Sequence, residues 1–143
     1  MLLENFILVD MNIWIIAGGV SINSLRILLA EDDGSHQKLF LLMLARLDHK
    51  SDVVSNGYEA IRAVSQCKYD LVFMDVVMPQ MDGLQATREI RKLDQKGLKI
   101  VAIAACVFPG VMEMCLDAGI DDCIATPVRI EDLKNALRNI TEA

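Results

Sequence analysis

The chain has 143 residues, about one domain's worth, and 53% of them are hydrophobic against 24% charged, which excludes a wholly disordered polypeptide. Fourteen Lys and Arg against twenty Asp and Glu leave a net charge of −6. A surface of that sign repels phosphate backbones and anionic headgroups, so neither direct nucleic-acid binding nor membrane insertion is expected.

In chain order, the first 24 residues stand apart. Phe6 to Val20 is mostly apolar, but Asp10 and Asn12 break it and it falls short of the ~20 residues a membrane-spanning helix needs. No Lys or Arg precedes Arg26, so the basic start of a secretion signal is missing. Residues 1–24 are read as an N-terminal apolar extension or linker, or as an extra element packed on a domain of residues 25–143.

From Leu25 the pattern is regular. Leu25–Ala30, Asp52–Val54, Asp70–Asp75, Ile100–Ala105 and Asp122–Ala125 read as strands. Helices are predicted between and after them: Gln37–Leu47, Gly57–Cys67, Leu84–Leu93, Val111–Ala118 and Ile130–Ile140. Asn56-Gly57, Asp82-Gly83, Gln95-Lys96-Gly97 and Ala118-Gly119 supply turns and caps. Alternating strands and helices imply a parallel sheet with helices on both faces, since parallel neighbours need crossovers. Runs such as Leu71-Val72-Phe73-Met74 suit strands buried on both sides. Cysteines 67, 106, 115 and 123 form no CxxC pair, and His36 and His49 are the two histidines. They are read as buried, reduced thiols in a cytoplasmic protein, not as a zinc site.

In such folds the functional crevice lies at the carboxyl ends of the strands. The first strand is followed by Glu31-Asp32-Asp33 and the third ends at Asp75, so acids from neighbouring strands converge. Three clustered carboxylates repel one another unless a cation sits between them, and an all-oxygen pocket suits Mg²⁺. A helix start explains Asp33, because acids favour the N-terminal dipole. It does not explain Asp75, which closes an apolar strand.

These residues carry a resemblance. Ile27-Leu28-Leu29-Ala30-Glu31-Asp32, Ser55-Asn56-Gly57-Tyr58-Glu59-Ala60, Met74-Asp75-Val76-Val77-Met78-Pro79-Gln80-Met81-Asp82-Gly83, Ala118-Gly119-Ile120-Asp121-Asp122 and Thr126-Pro127-Val128 are together similar to receiver domains of two-component response regulators. The likeness is greatest to receivers attached to hybrid histidine kinases. It implies a flavodoxin-like, doubly wound five-stranded parallel sheet in the order 2-1-3-4-5. It also implies a phosphoacceptor and not an enzyme. Asp75 would take a phosphoryl group from phosphohistidine on a sensor histidine kinase or a histidine phosphotransfer protein. Asp32 would bind Mg²⁺ directly and Glu31 through water, with the backbone carbonyl of Val77 completing the site. An aspartyl-nucleophile phosphatase of the haloacid dehalogenase type would need a general acid where Val77 stands, and Val77 cannot transfer protons.

Three positions depart from the family pattern. Ala104 replaces the usual Thr or Ser, Thr126 the usual Lys, and Cys123 the switch aromatic. The resemblance therefore implies a receiver with a weakened output switch, the alternative being a degenerate receiver that docks partners independently of phosphorylation. The unbroken apolar run Leu39 to Ala45, with Val111, Met112 and Met114, exceeds what one buried helix stripe needs. A homodimer or a partner helix is expected on the 39–45 or 111–116 helix, with Phe6 to Ile16 as the competing intramolecular cover.

Overall fold

The computed structural model describes residues 25–105 and 108–141, together with the backbone of four segments before them. Those segments are β1 (Leu2–Leu3), β2 (Phe6–Asp10), β3 (Ile13–Ile16) and β4 (Gly19–Ile22), paired antiparallel in sequence order. The side chains of Phe6 to Ile16, named above as a cover, lie outside the described residues.

The second sheet holds β5 (Ile27–Ala30), β6 (Asp52–Val54), β7 (Leu71–Asp75), β8 (Lys99–Ala104) and β9 (Asp122–Ala125). All pairings are parallel, and the order β6-β5-β7-β8-β9 is the expected 2-1-3-4-5. Between and after the strands run α1 (Gly34–Arg46), α2 (Gly57–Gln66), α3 (Gly83–Arg91), α4 (Pro109–Ala118) and α5 (Ile130–Thr141). Most predicted elements agree to within two residues at each end. The exception is α1, which begins earlier because Asp33 caps it, accepting from the backbone N–H groups of Ser35 and His36.

Side-chain alternation divides the core in two. Leu28, Ala30, Val72, Met74, Ile100 and Ala102 face α2, α3 and α4. Ile27, Leu29, Leu71, Phe73, Val101 and Ile103 face α1 and α5. Each large side chain buried this way stabilises the fold by about 1.5–3 kcal/mol. Phe40 of α1 meets Phe73 edge-on, with ring centroids 4.9 Å apart.

Local caps fix where each helix leaves its loop. Asn56 accepts from the Glu59 N–H, and Glu59 Oε1 accepts in return from the Ser55 N–H at 2.8 Å. Asp82 caps α3 through the Gln85 N–H. Gly119, at φ 105°, ends α4 in the left-handed conformation that glycine adopts at least cost. Arg91 then ties the α4–β9 corner to α3, donating to the Gly119 and Leu98 carbonyls and to Asp121 Oδ2.

The two ends of the sheet differ in character. At the amino ends of the strands, the Arg26 N–H donates to Asp70 and the Tyr69 hydroxyl to Asp52. A cleft lined by Lys99, Asp121, Asn139 and Ile140 sets the end of α5 beside the starts of β8 and β9. The carboxyl ends carry the acids. There the Gly83 N–H donates to the Val76 carbonyl, and a Cβ on Gly83 would collide with the Asp75 carbonyl. Gly83→Ala is expected to cost about 1–3 kcal/mol by overpacking that joint, read as a lower thermal midpoint. An unchanged midpoint would show that the joint yields freely.

Candidate functional site

Parallel register brings the acids together. Ala30 pairs with Met74, so the next residues, Glu31 and Asp75, emerge side by side from neighbouring strands. Ligand oxygens of Glu31, Asp32 and Asp75 all lie within 4.8 Å of one another. Glu31 is buried at 5% exposure, Asp75 is half-buried, and Asp32 faces solvent.

Backbone donors hold this group in place. The Asp33 N–H donates to Glu31 Oε1 at 3.0 Å, and the Val77 N–H to Asp75 Oδ1 at 3.1 Å. Burial, followed by the adjacent Glu31 carboxylate, pushes the Asp75 carboxyl up to about 7, with the Val77 N–H opposing. A half-buried carboxyl so disfavoured as an anion is short of positive charge. Hard oxygen donors in this number fit a divalent ion such as Mg²⁺.

The three departing positions fall where strand order puts them. Asp75 pairs with Ile103, and Ala104 with Ala125, so Asp75, Ala104 and Thr126 stand at one end of three adjacent strands. Ala104 is buried and its carbonyl accepts from the Thr126 N–H at 2.9 Å; Thr126 is exposed, before a cis peptide to Pro127. Cys123 pairs with Ala102, lower in the sheet, and touches the core beneath α4. The reading of the cysteines as buried needs correction: Cys115 is buried, whereas Cys67 and Cys123 are half-buried. Cys106 lies outside the described residues.

Two side chains at the site escaped the sequence reading. Gln37 Nε2 donates to the Glu31 carbonyl at 2.6 Å, and His36 Nδ1 lies 3.6 Å from Glu31 Oε1. The signal was the Asp33 cap, which starts α1 early enough for its first turn to face the acids.

On α1, Phe40 and Leu44 are buried while Leu39 and Leu42 are 55% and 65% exposed. On α4, Met114 and Leu116 are exposed, as is Phe108 at its cap, whereas Val111 and Met112 are half-buried. Among the described residues, no helix is long and apolar enough to cross a membrane.

Comparison with known proteins agrees with this arrangement. Residues 27–138 match the model of the response regulator receiver domain. Hybrid signal transduction histidine kinase G of Dictyostelium discoideum is 37% identical over 118 residues, which cover 80% of this chain and 3% of that protein. Histidine kinase 5 of Arabidopsis thaliana is 33% identical over 140 residues, covering 79% of this chain and 15% of the relative. The chain thus spans a small part of either kinase. Among solved structures, the receiver domain of a sensor histidine kinase from Pseudomonas aeruginosa PAO1 superposes with a TM-score of 0.78 at 33% identity, covering 84% of this chain and 99% of the other. That structure has a magnesium ion coordinated in its active-site cleft. With its acids at the ends of adjacent parallel strands and a family match over most of its length, the chain belongs to the response regulator receiver domains of two-component phosphorelays.

Proposed function

We propose that this receiver accepts a phosphoryl group on Asp75 from a phosphohistidine of a sensor histidine kinase or histidine phosphotransfer protein. Glu31, Asp32, Asp75 and the Val77 carbonyl would hold Mg²⁺. The observation that carries this reading is the convergence of three carboxylates, one of them disfavoured as an anion, on a pocket open to solvent at Asp32. The bound ion would offset charge on the phosphoryl oxygens, the main demand of this reaction.

The chain's own groups do the rest. The Val77 N–H engages Oδ1 of Asp75 and fixes the orientation of the carboxylate that would attack. As the new P–O bond forms, the P–N bond breaks and the imidazole leaves with the electron pair, then takes up a proton. Asp33 fixes the buried Glu31 through its N–H, so the pocket needs little rearrangement. Ala104 offers the phosphoryl group no hydroxyl and Thr126 no positive charge, which weakens both its retention and its coupling to output.

The receiver unit is taken as residues 25–143 with 1–24 as an added segment, a division the match over 27–138 supports. The exposed apolar side chains of α1 and α4 favour contact with a partner helix or a second copy.

Incubation with a small-molecule phosphodonor and Mg²⁺, followed by intact-mass measurement, tests the reading. The wild type is expected to gain one phosphoryl group and Asp75→Ala none. A stable adduct on Asp75→Ala would move the nucleophile elsewhere. No adduct on either protein would leave phosphorylation-independent docking as the function.

A further inference from the structure

The chemistry of the strand ends makes no use of the cysteines, yet two of them meet under α4. Cys115 lies one turn before the end of that helix and is 1% exposed. At the left-handed Gly119 the chain reverses, and the N–H groups of Gly119 and Ile120 both return to the Cys115 carbonyl. Asp121 is then pinned by Arg91 and by the Ile100 N–H, and β9 begins at Asp122. This tight path brings Cys123 back under the helix, where its side chain packs against the cluster that contains Cys115. The Cys123 side chain is thus a neighbour of the Cys115 side chain in that cluster. Cys123 is half-buried on an edge strand, so small molecules in solution can reach it, while Cys115 waits behind it.

We propose that Cys115 and Cys123 are a redox modification site, forming an intramolecular disulfide on exchange with a low-molecular-weight disulfide and thereby clamping α4 to β9. The more accessible Cys123 reacts first: its thiolate attacks one sulfur of the reagent, forming a mixed disulfide and expelling one thiolate. Cys115 then attacks the Cys123 sulfur and expels the second reagent thiolate, its proton passing to that leaving group. Both leaving thiolates are protonated, so two protein thiols and one small disulfide give one protein disulfide and two small thiols. Burial, then the neighbouring Cys115, pushes the Cys123 thiol up to about 11. The scarcity of thiolate makes the first step slow at neutral pH, so the pair stays reduced during brief exposure to oxidant. The clamp would fasten the buried side of the helix whose outer side carries Met114 and Leu116, linking the redox state to whatever docks there. It depends on none of the chemistry assigned to Asp75.

The test uses the full chain carrying Cys67→Ser and Cys106→Ser, so that Cys115 and Cys123 are the remaining thiols. After prolonged incubation with excess oxidised glutathione, the intact mass is expected to fall by two hydrogen atoms, with a transient glutathione adduct preceding the loss. No Lys or Arg lies between Lys99 and Arg129, so trypsin leaves both cysteines on one peptide. Cleavage before Asp117 and Asp121 instead separates them, and the two peptides should stay joined until reduced. Adding Cys115→Ser should trap the glutathione adduct on Cys123. The wild type provides the same readout should the substituted chain fail to fold. An unchanged mass, an adduct that persists while Cys115 is present, or a disulfide only between two chains would overturn the proposal.

Discussion

Asp75→Asn is expected to melt above the wild type in metal-free buffer at about pH 8, and the gap is expected to close as Mg²⁺ is added. In the folded chain the Asp75 carboxyl keeps its proton up to about 7, against 3.8 for the ordinary group. Between those values the unfolded chain binds fewer protons than the folded one. Stability therefore falls as pH rises from about 4 to about 7 and is flat above. A shift of this size would correspond to about 4 kcal/mol if fully expressed. Asp75 is only half-buried, and solvent screening reduces the figure to about 1–2 kcal/mol. The amide carries no charge and escapes the penalty. Mg²⁺ at tenfold its dissociation constant would return about 1.4 kcal/mol to the wild type and less to the variant, which on the proposed ligand set would lack one ligand. Thermal melts at about pH 5 and pH 8, with and without the ion, check both parts. Equal Mg²⁺ shifts in the two proteins would remove Asp75 from the ligand set.

The second large effect is a gain. Ala104→Thr combined with Thr126→Lys is expected to raise the phosphorylated fraction about tenfold under limiting phosphodonor. Both positions stand beside Asp75 at the carboxyl ends of β8 and β9. A lysine there adds a charge-assisted contact to the phosphoryl oxygens, worth ~1.5–3 kcal/mol. Because Thr126 is exposed, the lower figure applies, and each ~1.4 kcal/mol is tenfold. Intact-mass quantification of the phosphoprotein gives the answer directly. A double variant that takes up no more phosphate than the wild type would show that these side chains are not what limits it.

Much of the arrangement was legible in the sequence because it rests on local patterns. Consecutive apolar residues such as Leu71 to Met74 identify strands buried on both faces, and the helical connections make them parallel. The acids then follow from where those strands stop. Less legible was anything set by a cap or by the choice of helix face. Asp33 suits a helix start, yet the sequence pattern places the helix itself from Gln37; the cap starts α1 at Gly34 and so delivers His36 and Gln37 to Glu31. The run Leu39 to Ala45 showed that α1 is too apolar for one stripe. That Leu39 and Leu42 are the leucines left outside depends on how α1 rotates against Phe73. The meeting of Cys115 and Cys123 is set by a glycine turn seven residues of chain could have made in other ways.

The amino-end pole of the sheet has a consequence for wiring. Arg26 leads into β5 beside Asp70, and α5 finishes next to the first residues of β8 and β9, so the chain enters and leaves on one side. The carboxylates sit on the other side, separated by the length of β7, five residues or about 16 Å. A unit connected in this manner behaves like a plug with both leads at the back. It can be spliced between other folded parts, or swung on flexible leads, while its prongs still point outward. Lengthening either lead would then alter how far the carboxylates travel without altering the socket they fit.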